Sequence, residues 1–323
     1  MHSRQKREIQ PVVHTSPRPR RSLDLAEFRP PRALGVIVGG AFAAWAILLA
    51  GLTLRVAIGA PAEFKTFLAW LVSAVLVLLA GTFANWSYAL ATLSYVIDRE
   101  TLVIRWGFRR VVIPIDTIQR MIPGRTLDEA AIHGLNWWGC HVGHADVKRV
   151  GYTIFYSTHS SPDELLYIVT TEESYALTVL DQAAFAEEVQ ARASLGTVEQ
   201  HIQRSAASGI AAFPFWRDRV AIVAAAASAV TCSLLAGYVY SQYPNLPSVV
   251  QLSFPALGGV VRVGDKAELL RIAYLGAGIL ALNTVLGIAV HTRERAAGLW
   301  LLISSSMLQT VLLAAAILAF QKS

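Results

Sequence analysis

Two long apolar blocks, a polar stretch and three further apolar blocks make up this chain. That layout restricts what it can fold into more than any other feature. Ala33 to Leu54 and Thr66 to Leu90 contain no charged residue, and neither do Val220 to Tyr240, Ile272 to Val290 and Ala296 to Phe320. About 20 predominantly apolar residues, at 1.5 Å rise each, suffice for a helix to cross a lipid core. A buried core helix in a soluble protein would rarely stay apolar on every face for such a length. The expected class is therefore an α-helical, multi-pass membrane protein of five spans, with a single soluble domain inserted between the second and third.

Charge placement orients the spans. Arg4, Lys6, Arg7, Arg18, Arg20, Arg21, Arg29 and Arg32 precede the first block, the next loop holds Arg55 and Lys65, and the loop between the last two blocks holds Arg293 and Arg295. Lys and Arg near span ends are retained in the cytoplasm, which puts the N-terminus, the inserted domain and the last short loop inside. Arg262, Lys266 and Arg271 on the outer loop run mildly against that rule but do not outweigh the N-terminal excess. Ile58-Gly59-Ala60 loosely resembles a cleavage site. The apolar run before it exceeds the usual signal-peptide core, so an uncleaved anchor is expected.

The formal net charge of +6 is unevenly spread. Residues 1–32 carry eight Lys/Arg against three Asp/Glu, whereas residues 94–200 carry nine against fourteen. The basicity belongs to a Pro- and Arg-rich tail expected to be disordered against anionic headgroups. The inserted domain lacks the basic stripe that nucleic acid requires. Cys140 in that domain and Cys232 in the third span should lie in different phases, so no disulfide is expected between them.

From Ser94 the pattern changes to alternation of β-branched and aromatic residues. Tyr95–Ile97, Leu102–Trp106 and Arg110–Ile113 form a three-strand meander with turns at Asp98–Glu100 and Gly107-Phe108. Pro114 to Ile118 reads as a strand end passing into a turn or short helix. Tyr152–Tyr156, Leu165–Val169 and Tyr175–Val179 read as further strands, and Asp181 as the N-cap of a helix through Phe185, Val189 and Arg192.

The run from Tyr95-Val96-Ile97-Asp98 through Arg105-Trp106-Gly107-Phe108-Arg109-Arg110 to Ile113-Pro114-Ile115-Asp116 resembles the opening of bacterial membrane-anchored pleckstrin-homology (PH) domains. Tyr167–Thr171, Tyr175–Thr178, Asp181 and Ala184-Phe185 are similar to that family's end. The resemblance implies a PH-like β-barrel capped by a C-terminal helix and brings no enzymatic activity. Eukaryotic PH domains often hold phosphoinositides through basic residues of the first hairpin loop. By that resemblance Arg105, Arg109 and Arg110 are the nearest equivalents here, as headgroup or partner contacts. The negative balance of the domain favours the alternative that they simply face solvent or headgroups on one hairpin. A domain already fixed at the membrane needs no lipid affinity to reach it, which makes a protein the preferred partner. Tyr243–Pro247, Leu252–Gly259 and Arg262–Gly264 resemble more weakly the outer loop of SdpI-like immunity proteins, with Phe254-Pro255 departing from that pattern.

Other constellations are weaker. Cys140-His141-x-x-His144, with His133 and Asp146 nearby, has ligand types for zinc but no second pair at suitable spacing. Gly134 to Gly139 reads as a glycine/aromatic loop feeding a strand. Neighbours on a regular strand point to opposite faces, so Cys140 and His141 would not meet as a nucleophile pair. Trp137-Trp138 reads as a core or interfacial aromatic pair. Asn85, Thr231, Asn283, Thr284, Gln309 and Ser304–Ser306 are neutral, as expected of interhelical hydrogen-bonding groups rather than a transport path.

The expected organisation is a basic cytoplasmic tail over 1–32, a transmembrane hairpin over 33–93, a bacterial PH-like domain over 94–195, a linker over 196–219, and three spans over 220–323 with an outer loop at 241–271. The expected function is non-catalytic, with no metal or cofactor: a cell-membrane signalling or scaffold module presenting its PH-like domain to a cytoplasmic protein or the membrane surface. Membrane lipids, an unknown cytoplasmic protein and a second copy of the chain are the expected partners, and nucleic acid is not. The alternative is a sensor or immunity-type protein that binds a peptide or lipid through the outer loop and last three spans.

Overall fold

The computed structural model describes residues 25–196, 202–251 and 263–321. Its elements run β1 (Ala26–Phe28), α1 (Ala33–Ala57), α2 (Phe64–Ala91), β2 (Ser94–Ile97), β3 (Thr101–Trp106), β4 (Arg109–Pro114), β5 (Ile118–Pro123), β6 (His133–Trp137), β7 (Cys140–Val147), β8 (Gly151–Ser157), β9 (Leu165–Thr170), β10 (Ser174–Thr178), α3 (Gln182–Ala193), β11 (Arg204–Ala207), α4 (Arg219–Gln242), β12 (Val249–Gln251), β13 (Val263–Asp265), α5 (Ala267–His291) and α6 (Arg295–Gln321). Helices α1, α2, α4, α5 and α6 are each long and apolar enough to cross a membrane. They exceed the uncharged blocks because helical hydrogen bonding continues into polar flanks such as Arg55 and Lys65.

Polar side chains hold the helices to one another where apolar packing alone would leave their rotation undefined. Between α1 and α2, Ser87 Oγ donates to the Val36 carbonyl at 2.9 Å, and Thr53 Oγ1 and Ser73 Oγ lie 2.6 Å apart. In the second bundle, Ser228 Oγ donates to Leu302 O at 2.8 Å and Gln309 Nε2 to Gly276 O at 2.6 Å. Gln309 thus bridges helices as the sequence leads one to expect. Thr231 and Ser304 instead bond within their own helices. At one end of the bundle Asp218 caps α4, accepting from Val220 N at 3.0 Å. It also accepts from Arg295 Nε at 2.5 Å and lies 3.5 Å from His291 Nε2. Three helix ends meet at that carboxylate.

The inserted domain comprises two sheets. One has the order β1-β2-β3-β4-β11, the other β5-β9-β10-β8-β7-β6, with β8 and β10 the parallel pair. Tyr95, Ile97, Leu102, Ile104 and Ile113 of the first sheet pack against Leu166, Ile168, Tyr175 and Leu177 of the second and against Phe185 and Val189 of α3. The Tyr95 hydroxyl fastens the two layers, donating to Tyr156 O at 2.7 Å and accepting from Thr178 N at 3.3 Å. Asp181 caps α3 by accepting from Ala184 N at 2.9 Å. The described strands form two separately paired sheets, so main-chain closure of the expected barrel is not shown.

Two edge strands come from outside the expected domain. β1 lies in the segment read from sequence as tail, and pairs antiparallel with β2; β11 lies in the segment read as linker, and pairs with β4. An exposed strand edge offers unpaired N–H and C=O groups, and these short segments cover both edges of the first sheet. The stretch read as a glycine/aromatic loop is the β6–β7 hairpin, with Trp137 opposite Cys140 and Trp138-Gly139 at its tip.

Candidate functional site

The site is the base of the inserted domain, where it meets the N-terminal end of α1 and the C-terminal end of α2. The chain crosses this junction in both directions. β1 leads into α1, and α2 leads through Thr92 and Leu93 into β2. Arg32 donates to the Ala91 carbonyl, satisfying a group that α2 leaves open at its end. Thr92 Oγ1 accepts from Gly107 N at 2.9 Å, drawing the β3–β4 turn against the same end.

Two turns flank the helical hairpin. On one side Phe108, at the tip of β3–β4, packs on Tyr88 of α2 with ring centroids 5.2 Å apart. On the other, the β6–β7 tip inserts Trp137 among Phe42, Phe83 and Trp86, at centroid distances of 5.2, 5.4 and 6.1 Å. Each such pair adds about 0.5–1.5 kcal/mol beyond area burial, so together they exceed thermal energy several-fold and hold the hairpin on the helices. Gly139 and Gly35 make the approach possible. A Cβ on Gly35 would lie 2.6 Å from the Gly139 carbonyl oxygen. Trp138 remains 67% exposed beside the packed Trp137, and Phe108 is 40% exposed. An exposed aromatic ring level with the helix ends is where tryptophan and tyrosine gather at a membrane–water boundary.

The arginines singled out from sequence divide between two faces. Arg105 and Arg110 are direct cross-strand partners and share the outer face of the first sheet with Ser94. Arg109 pairs with Trp106 and points the other way, close to the Tyr156 hydroxyl. Burial pushes the pKa of that hydroxyl up, with Arg109 opposing. Arg29 and Arg32, from the segment before α1, join Arg105 and Arg110 around a cleft of about 480 Å³, whose wall also includes Glu27 and part of Arg109. Glu27 pairs with Arg29 at 3.0 Å, and Arg29 first, then Ser94 and last Arg105, hold its carboxyl below the ordinary range against the opposing effect of burial. Among the described residues, Arg105 and Arg110 form no ion pair. Like charges directly opposed on neighbouring strands are destabilising, by an amount on the order of 0.2–1 kcal/mol for a cross-strand pair. Sequence reasoning missed Arg29 and Arg32 as partners of these residues because nothing local announces that β1 pairs with β2.

The first turn of the domain, Asp98–Glu100, lies at the far end of β2 from the helices and carries two carboxylates and one arginine. The cationic turn is the second one, at Gly107-Phe108. Arg105, Arg109 and Arg110 thus lie at the helix-proximal end of the domain, on either side of that second turn.

Cys140 and His141 separate as a regular strand requires. Cys140 faces α1 and α2, beside Gly35, Phe83 and Leu90, where burial pushes its thiol up to about 12. His141 faces a second cleft of about 870 Å³, bounded by Arg32, Phe42, Trp138, His159 and Glu164. Its Nδ1 lies 2.6 Å from Asn136 Oδ1, and burial, aided by His159, lowers its pKa. His144 stacks on Tyr152 instead. Among the described residues no three His, Cys, Asp or Glu side chains are grouped to hold a metal ion.

Five helices of spanning length and a two-sheet domain with a capping helix define a helix-anchored protein with one β-rich domain. The segment 93–193 matches the family model described as the bacterial PH domain. No curated protein and no solved structure matches the chain. The SdpI-like resemblance of residues 243–264 thus gains no support. Val249–Gln251 pairs with Val263–Asp265 there, and residues 252–262 lie outside the described part.

Proposed function

We propose that this is a non-catalytic integral membrane protein whose PH domain is seated on the cytoplasmic membrane surface, a fixed platform for contacts with that surface and with protein partners. The observation that carries the reading is the two-sided seat: Phe108 and Trp138 project at the level of the helix ends, one on each side of the α1–α2 hairpin. A domain tethered only by its chain ends would need no such contacts. The cytoplasmic assignment rests on charge. The helix ends nearest the domain carry Arg29, Arg32, Arg217, Arg219, Arg293 and Arg295, and the opposite ends carry Arg55, Lys65, Lys266 and Arg271. The first set is the richer, which favours the cytoplasmic side.

Cysteine accessibility tests this in the full-length protein in vesicles with the domain facing out. Phe108→Cys and Trp138→Cys should react several-fold more slowly with a membrane-impermeant maleimide than Lys148→Cys. Lys148 lies just past the far end of β7, roughly 30 Å from the hairpin tip at about 3.3 Å per residue. Equal reactivity at the three positions, with intact folding, would show that the domain stands clear of the bilayer and would overturn the seat.

A further inference from the structure

The cleft between the pre-helix segment and the β3–β4 turn has a composition that the seat alone does not require. We propose that it is a binding site for the phosphate of an anionic glycerophospholipid, formed by Arg29, Arg32, Arg105 and Arg110. This rests on the seated arrangement above and names the ligand of that surface. Four observations point the same way. Arg105 and Arg110 oppose each other directly on adjacent strands with no carboxylate in ion-pair contact among the described residues, a repulsion that an anion between them relieves. Arg29 and Arg32 approach from a different part of the chain, so the cations converge rather than lying along one strand. Glu27 is the single carboxylate in the wall and is engaged by Arg29. The volume of about 480 Å³ suits a headgroup.

Position selects a lipid over a free anion. The cleft includes Ala91 and Thr92 at the end of α2, and Phe108 on its rim packs against Tyr88 of the same helix. A phosphate held there sits at headgroup depth, with its acyl chains running down the exposed flank of α2. Guanidinium groups suit phosphate because their planar fork donates two parallel hydrogen bonds. Each part of the chain supplies only half of the site. The domain alone keeps Arg105 and Arg110 but loses Arg29 and Arg32.

Thermal unfolding of the full-length protein in uncharged detergent provides the test, with three probes: short-chain phosphatidylglycerol, short-chain phosphatidylcholine with the same acyl groups, and inorganic phosphate. Phosphatidylglycerol should raise the melting temperature in a saturable manner, and the other two should raise it much less. The double substitution Arg105→Gln with Arg110→Gln should abolish the difference between the two lipids. Without lipid that variant should melt no lower than the parent, because it removes a repulsive pair. Arg29→Gln, on a different element, should weaken the same response. Equal shifts with both lipids, or a lipid difference that survives the double substitution, would overturn the site. A shift reproduced by inorganic phosphate would overturn the lipid assignment. Absence of a phosphatidylglycerol response in the parent protein, while Phe108→Cys and Trp138→Cys stay shielded, would sink this site and leave the seat standing.

Discussion

Gly139 is the residue on which the seat turns. Its φ of +71° lies in the left-handed region, and a Cβ there would come within 2.6 Å of the Gly35 backbone nitrogen. Gly151 has a φ of +88° and open space around it. The two therefore separate backbone strain from overpacking. Gly151→Ala should cost roughly 1–2 kcal/mol through strain alone. Gly139→Ala should cost about 1–3 kcal/mol more, because two backbones must part. Unfolding of the full-length chain in detergent measures both, and equal losses would mean that the Gly35–Gly139 approach contributes nothing. At this scale some of the site was legible beforehand. The alternation rule separated Cys140 from His141, and Asp181 was recognisable as a cap. The division of Arg109 from Arg105 and Arg110 follows from the same rule once the strand register is known. The proximity of Arg29 and Arg32 does not, because Arg32 and Arg105 are far apart in sequence and their meeting depends on a strand pairing.

Among the elements, the apolar helices and the β2–β4 meander were readable, whereas β5, β6 and the short edge strands were not. Five uncharged blocks and the β2–β4 meander carry their periodicity locally. β1 has three residues and β11 four, too few for any period to register, and each exists because a longer strand offers an open edge. The junction of α4, α5 and α6 illustrates how elements are tied. The Asp218 carboxyl is held down to about 2 by Arg295 and by the backbone N–H groups at the start of α4. A folded-state pKa below the ordinary 3.8 means that ionised Asp218 stabilises the folded chain above that value, and that the contribution is lost as pH falls towards about 2. Asp218→Asn should lower the melting temperature at neutral pH, and the gap from the parent should close as the medium is acidified through that window. A gap independent of pH would show that the carboxylate's charge does not hold the three helix ends together.

For the whole molecule the question is which face meets the cytoplasm. The domain, the start of α4 and the α5–α6 connection belong to one end of the helices. The connection between α1 and α2 and the β12–β13 pair belong to the other. A reporter at the N-terminus should be cytoplasmic and one at the C-terminus extracytoplasmic, as an odd number of spans demands. Both reporters on one side would require one of the five helices not to cross.

By itself the sequence determined the number and placement of the apolar helices, the change to β structure after Ser94, the capped helix at Asp181 and the PH resemblance that the family match supports. These are properties of contiguous stretches, set by how often an apolar side chain recurs along the backbone. The tertiary structure alone decided that a segment before α1 and another after α3 complete the first sheet. It also decided that an apparent loop is a hairpin lodged between two helices, and that four arginines from separate stretches share one cleft. Those outcomes depend on which strand edges and helix faces remain open once the larger elements have packed, and no single stretch of sequence encodes that.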